Sequence, residues 1–186
     1  IPQLLEAYRV GAAMGEFETA FMAIESYMQM SFFCGANLVR LEQEMNTYCA
    51  HMAEFDHKSQ LYFCLPYWQL CLNFLGQTDI PTILTGDAMD QAALLEAARS
   101  SNVILVPQII NVIQILLAVS FEDTDLLKRA IQEYESFEAH PIGHFMKYFS
   151  QFFIGLGYVT LYRSAVRRSL KRKARKIYNS LAQWSN

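Results

Sequence analysis

Hydrophobic and polar positions divide this chain into two kinds of helical segment. Three long stretches, 59–78, 100–121 and 148–162, contain no Asp, Glu, Lys or Arg. Because a helix without charge must be covered on most of its sides, these stretches predict inner helices. The charged segments that follow them each carry one apolar stripe and need covering on one side only. The alternation predicts an all-α superhelix, a solenoid of about four stacked helical hairpins.

The clearest single pattern covers residues 38–55. Apolar residues recur there at spacings of three and four, and Asn37 precedes them as a helix N-cap. Glycines and turn residues predict that the turns within hairpins fall near Gly35, Gly76, Glu122 and Arg163, roughly forty residues apart. The predicted helices cover residues 2–15, 16–34, 38–55, 59–75, 87–99, 102–121, 125–140, 142–162 and 166–184, with Asp87 as an N-cap and Pro66 as a kink or break.

Length and composition predict a single folded domain. The chain has 186 residues, 53% of them hydrophobic, which excludes disorder and predicts a single helical-repeat domain over 1–186. Helical patterns run to both ends, so we expect a section of a longer polypeptide. The four cysteines, Cys34, Cys49, Cys64 and Cys71, form no CxxC pair. They are typical of reduced core residues in a cytoplasmic protein.

The charges are unevenly distributed along the chain. All 18 acidic residues lie at or before Glu138, and eight of the 15 basic residues lie between Arg163 and Lys176. The basic run predicts a contact face for an anionic partner or, more commonly, the solvated side of an amphipathic helix. The residues of this candidate contact face are Arg167, Arg168, Lys171, Arg172 and Arg175. We expect the partner to be a protein or another segment of the same chain, rather than nucleic acid or membrane.

Amide side chains interrupt two of the uncharged stretches. They are Gln69 and Asn73 in one stretch, and Gln108, Asn111 and Gln114 in another. Such amides could line a groove and hydrogen-bond a bound peptide, or satisfy one another and neighbouring backbone inside the stack. The same amides, with Pro66 and Pro107, disfavour the alternative that the uncharged stretches span a membrane.

No motif for catalysis, nucleotide binding or metal binding is present. His140 and His144 are four apart, but Pro141 separates them, so we do not expect a shared helix face. Gly155 and Gly157 lie in an apolar helix without a preceding strand, which indicates close helix packing and not a phosphate-binding loop. We therefore expect neither a cofactor nor a catalytic residue, and a helical enzyme with an unrecognised site stays a minor alternative.

Four segments resemble one family. Residues 9–20 (RVGAAMGEFETA), 31–45 (SFFCGANLVRLEQEM), 67–76 (YWQLCLNFLG) and 85–90 (TGDAMD) are similar to the tetratricopeptide-like helical-repeat region of large multidomain signalling ATPases. Members of that family join a protein-kinase-like module, an AAA/STAND-type ATPase, the helical repeats and a sensor, histidine-kinase or cyclase output. The resemblance implies a non-catalytic interaction or regulatory scaffold segment, with any ATP-binding or kinase activity elsewhere in the parent protein.

Overall fold

A computed structural model describes residues 1–137, 144–165 and 167–183, with the backbone alone at 144–146. The described residues form helices and no strands, so the predicted all-α class is confirmed. The chain divides into two compact units, Ile1–Val106 and Pro107–Asn186. The helices are α1 Pro2–Met14, α2 Phe17–Phe33, α3 Leu38–Glu54, α4 Lys58–Phe74, α5 Gln91–Ser100, α6 Val106–Ser120, α7 Thr124–Ser136, α8 His144–Ala165 and α9 Arg168–Ala182.

The first unit contains two helical hairpins. Helix α1 packs on α2 and α3 packs on α4, and α2 also contacts both α3 and α4. The largest fully buried side chains of its core come from α2, α3, α4 and the α4–α5 loop, and they are Phe21, Ile24, Met28, Leu41, Met45, Met52, Tyr67, Leu70 and Leu84. Phe17 and Phe55 stack with ring centroids 4.3 Å apart, which joins the start of α2 to the end of α3.

The second unit has its own core. Side chains of α6, α7 and α8 form one buried cluster that includes Ile115, Leu127, Ile131, Ile154 and Tyr158. A methyl group added at Gly157 would lie 3.2 Å from Ile131 and Leu127. The expected role of this glycine in close helix packing is therefore confirmed.

Six helices in succession end in the same way. Their last turns close on a left-handed residue, at Gly15, Gly35, Asp56, Gly76, Asn102 and Glu122, where φ lies between 57° and 79°. At each of these helix ends, the residue after the left-handed one donates its backbone N–H to the carbonyl five residues before it. The Glu16 N–H, for example, donates to the Gly11 carbonyl at 2.8 Å. This is the Schellman motif. The positions are 20, 21, 20, 26 and 20 residues apart, so the chain has a regular helical period with one longer step.

Several predicted boundaries are wrong. The N-cap of α5 is Asp90 instead of Asp87, and its carboxylate accepts from the Ala93 N–H at 2.7 Å. The loop extends further than predicted because the Gly86 N–H donates to the Met89 carbonyl and Met89 is buried. Helix α6 begins at Val106 and not at residue 102, since Asn102 closes α5 in the left-handed conformation.

The remaining differences concern α4, α7 and α8. Pro66 lies inside α4 without interrupting it. Helix α7 ends at Ser136, and the predicted extension to His140 falls outside the described residues. Helix α8 continues past Arg163 to Ala165 and α9 begins at Arg168, so the turn predicted near Arg163 is wrong, since Arg163 lies within α8. No helix in the described residues is both long enough and apolar enough to cross a bilayer. The single domain over 1–186 and the number of hairpins stay predictions.

Candidate functional site: a basic helix face and an amide-anchored loop

The candidate basic contact face occupies the outer side of α9. Arg167, Arg168, Lys171, Arg172 and Arg175 are all exposed. The opposite side of the helix carries Leu170, Ala174 and Ile177, which pack against the core of the second unit. The apolar stripe is therefore used within the protein, and the cations face solvent.

These five cations have no ionic partner within the part of the chain that the structure describes. Arg167 and Arg168, at the start of α9, also oppose the helix dipole. Arg167 is the N-cap of α9, its side chain makes no capping hydrogen bond, and the first turn contains no acidic residue. A cation in the first turn destabilises a helix by about 0.3–1 kcal/mol. The arrangement therefore concentrates positive potential at one end of α9 at some cost in stability.

One basic residue of α9 is engaged in the fold. Lys173 donates to the carboxylate of Glu135 in α7, which also accepts from the Tyr158 hydroxyl at 2.7 Å. The Lys173 ammonium lies 5.5 Å from the centre of the Tyr158 ring. Burial acts to raise the pKa of Glu135, but the hydrogen bonds from Lys173 and Tyr158 outweigh it and lower the pKa. This contact fixes α9 on α7 and α8 and leaves the basic face outside.

The amides of the first unit anchor a loop and do not line an open groove. Gln69 and Asn73 are buried, and the Gln69 Nε2 donates to the Asn73 Oδ1 at 2.9 Å. The Asn73 Nδ2 donates to the carbonyls of Pro81 and Ile83 at 2.9 and 2.8 Å. The Gln69 Oε1 accepts from the Ala88 N–H at 3.2 Å. The two amides thus use their hydrogen bonds to hold the α4–α5 loop, which is the internal arrangement that the sequence also allowed.

The amides of α6 lie in the second unit. Gln108 and Asn111 are buried, whereas Gln114 is half-buried. The Asn111 Nδ2 donates to the Ala130 carbonyl at 2.9 Å and to the Glu133 carboxylate at 3.4 Å. Its Oδ1 is buried with no hydrogen-bond partner in the described part of the chain. Peptide binding by these three amides stays a prediction.

The loop between α4 and α5 forms an open cavity of about 530 Å³. Its walls include Asp79, Ile80, Ile83 and Asp87. Sequence reasoning missed this feature, although the distance from Gly76 to the next helix indicated a loop longer than a repeat turn. The shape of this open cavity depends on a loop that buried amides hold, and no local sequence pattern shows such long-range contacts.

The cysteines show no sign of an activated nucleophile. Cys49, Cys64 and Cys71 are buried, and burial raises the pKa of the Cys64 and Cys71 thiols, the latter to about 12. Protonated thiols are poor nucleophiles. Cys34 is exposed, which corrects the prediction that all four cysteines lie in the core.

The described residues also contain no group of metal ligands. Within residues 1–137, 144–165 and 167–183, no three His, Cys, Asp or Glu side chains are grouped so as to hold a metal ion. His140 lies outside those ranges, so its predicted separation from His144 stays a prediction. Comparison with protein-family models, with curated proteins and with solved structures finds no match for this chain.

Proposed function

We propose that this chain is a non-catalytic protein-interaction segment whose α9 basic face docks on an acidic surface of a partner protein or of another segment of its own polypeptide. The observation that carries the proposal is the exposed row of arginines and lysine on a helix whose apolar side is already packed. Such a face attracts anions without changing the fold. An anionic partner would also neutralise the charges that oppose the dipole of α9.

The charge distribution favours a protein partner over a long polyanion. The first unit contains four basic and twelve acidic residues, a net charge of −8, whereas the second contains eleven basic and six acidic residues, a net charge of +5. Nucleic acid or an anionic membrane would therefore be repelled by most of the chain. A compact acidic patch on a protein can engage the α9 face alone.

The resemblance to helical-repeat regions of signalling ATPases supports a regulatory role within this proposal. In a protein of that kind, the segment would lie between a nucleotide-binding switch and an output module, in the cytoplasm. Docking or release of the α9 face would then couple one module to the other. No cofactor is required for such a role.

The test compares two triple variants in binding to a fluorescent peptide of ten glutamates at 50 mM salt. Arg168→Gln, Lys171→Gln and Arg172→Gln together should weaken binding about tenfold, because exposed ion pairs contribute about 0.2–1 kcal/mol each. The control triple Arg9→Gln, Lys58→Gln and Arg99→Gln removes the same net charge from exposed pairs of the first unit. We expect the control to bind like the unchanged protein.

Two results would overturn the proposal. One is equal binding by the two triple variants, which would mean that the α9 face is not the docking surface. The other is tighter binding of a 20-base-pair DNA duplex than of the glutamate peptide, which would indicate a nucleic-acid partner. Circular dichroism of both triples should match that of the unchanged protein, since the altered side chains are exposed.

A further inference from the structure

The α4–α5 loop is long but well anchored. Besides the bonds from Gln69 and Asn73, the loop buries Leu84 completely and Met89 almost completely. A Cβ added at Gly86 would lie 2.8 Å from the Gln69 Nε2, so the loop backbone lies directly against the buried amide. A loop held at this many points keeps its cavity before any ligand arrives, which reduces the entropy cost of binding.

The chemistry of the cavity wall combines negative charge with apolar surface. Asp79 and Asp87 are exposed and make no ion pair with any residue that the structure describes. Ile80 and Ile83 are 52% and 47% exposed, so the wall also offers apolar surface. The Thr78 Oγ1 is buried without a hydrogen-bond partner among the described residues.

A lysine or arginine side chain matches this wall. Its aliphatic stem covers apolar surface while its charged end stays at a polar edge. A stem against Ile80 and Ile83 would place an ammonium or guanidinium group beside carboxylates. The cavity volume falls within the usual range for ligand sites, about 300–1,000 Å³.

We propose that the loop cavity binds a lysine or arginine side chain presented by an apolar segment of a partner protein. Asp79 and Asp87 would bind the cation, and Ile80 and Ile83 would bind the stem and its apolar neighbours. This site lies in the first unit and takes a basic ligand, so it is independent of the α9 basic face, which takes an acidic one.

The experiment uses the full ¹⁵N-labelled chain and a blocked pentapeptide, acetyl-Ala-Leu-Lys-Leu-Ala-amide. Amide resonances of residues 76–87 should shift on titration. The same peptide with acetyllysine, which keeps the stem and lacks the charge, should bind at least about fivefold more weakly. The double variant Asp79→Asn and Asp87→Asn should lose affinity for the lysine peptide by a similar factor.

The matched control is the double variant Asp56→Asn and Asp125→Asn, which removes two carboxylates from exposed surface pairs outside the cavity. It should bind the lysine peptide like the unchanged protein. The proposal is overturned if the shifts fall outside the loop, if acetylation leaves the affinity unchanged, or if the two double variants bind equally. Each spectrum also reports whether the variant is folded, so a loss of binding cannot be mistaken for unfolding.

Discussion

A single carboxyl group in α2 has an unusual environment for an acidic residue. Glu25 accepts a hydrogen bond from the Gln29 Nε2 at 3.1 Å. Burial raises the pKa of Glu25 to about 7, although the hydrogen bond from Gln29 lowers it. Burial is the largest cause of the raised pKa values of Tyr67 and Cys64. The charge of Glu25 is the second cause at Tyr67, and it also raises the pKa of Cys64. The ionised form is therefore disfavoured by the fold.

This environment predicts a pH dependence of stability. The pKa is higher in the folded than in the unfolded chain, so the contribution of Glu25 is fully present below its ordinary value of 4.5 and is lost as pH rises through about 7. Glu25→Gln should raise the free energy of unfolding at pH 8 by about 1–2 kcal/mol, less than the full pKa shift implies because the side chain is half-buried and solvent screens its charge, and change it little at pH 4.5. Urea unfolding at the two pH values measures the difference.

The control for this prediction is Glu18→Gln, an exposed carboxylate on the same helix. Because a carboxylate in the first turn is favoured by the helix dipole, Glu18→Gln should not stabilise the protein at either pH. An equal gain for Glu25→Gln at pH 4.5 and pH 8 would show that charge burial is not the cause.

At the scale of helices, the repeated Schellman ends differ in the residue that adopts the left-handed conformation. Glycine occupies three of these positions and was predicted at Gly35 and Gly76, because it has no Cβ to clash there. Asp56, Asn102 and Glu122 adopt the same conformation with φ of 57°. Asparagine and aspartate adopt this left-handed region more readily than other non-glycine residues because their short polar side chains can hydrogen-bond locally. The longer glutamate side chain does not offset the strain in this way.

Glu122→Gly should therefore stabilise the protein. Removing the left-handed strain is expected to raise the free energy of unfolding by about 1 kcal/mol and the melting temperature by about 2–4 °C. The matched control is Ala50→Gly at an exposed position in the interior of α3, which should lower stability by about 1 kcal/mol. Thermal unfolding that ranks Glu122→Gly at or below the unchanged protein would contradict the assignment of strain.

At the scale of the molecule, the division into two compact units predicts that the first can fold by itself. The buried core from Phe21 to Ala98 lies within it, including the loop residue Leu84. A fragment of residues 1–106 should be helical and unfold cooperatively in urea. A fragment of residues 1–90 lacks α5, which packs on α4 and contributes buried Leu94 and Ala98, so it should be less stable. A disordered 1–106 fragment would contradict the prediction.

Local signals account for what the sequence could predict. Helix α3 was predicted to within one residue at its end, because Asn37 caps it through the Arg40 N–H and its apolar stripe is continuous. The α9 face was also visible, since basic and apolar residues separate on opposite sides of one helix. These features depend only on residues within a few turns of one another.

The loop and its cavity depend on contacts that the sequence does not display. Gln69 reaches an N–H 19 residues away, and Asn73 reaches carbonyls eight and ten residues away. Because Gln69 and Asn73 lie in an apolar helix, the sequence showed that their amides need hydrogen-bond partners. It did not show whether those partners lie within the chain or in a bound ligand. The error at Asp87 has the same origin, because either aspartate could cap α5 and the tertiary fold of the loop selects Asp90.

The spacing of the left-handed helix ends along the chain shows where the cavity loop departs from the common period. Six left-handed ends follow one another at steps of 20 or 21 residues except between Gly76 and Asn102, where the step is 26. The surplus residues lie between α4 and α5, where the cavity is found. An insertion inside a helix would turn every following side chain by about 100° per residue, whereas one in a connection leaves the packing unchanged. The cavity loop therefore combines an insertion with the loss of helical residues, since the step is six residues longer (26 against 20) and α5 has ten residues against 17 in each of α2, α3 and α4, and shortening the loop to the common step should remove the cavity.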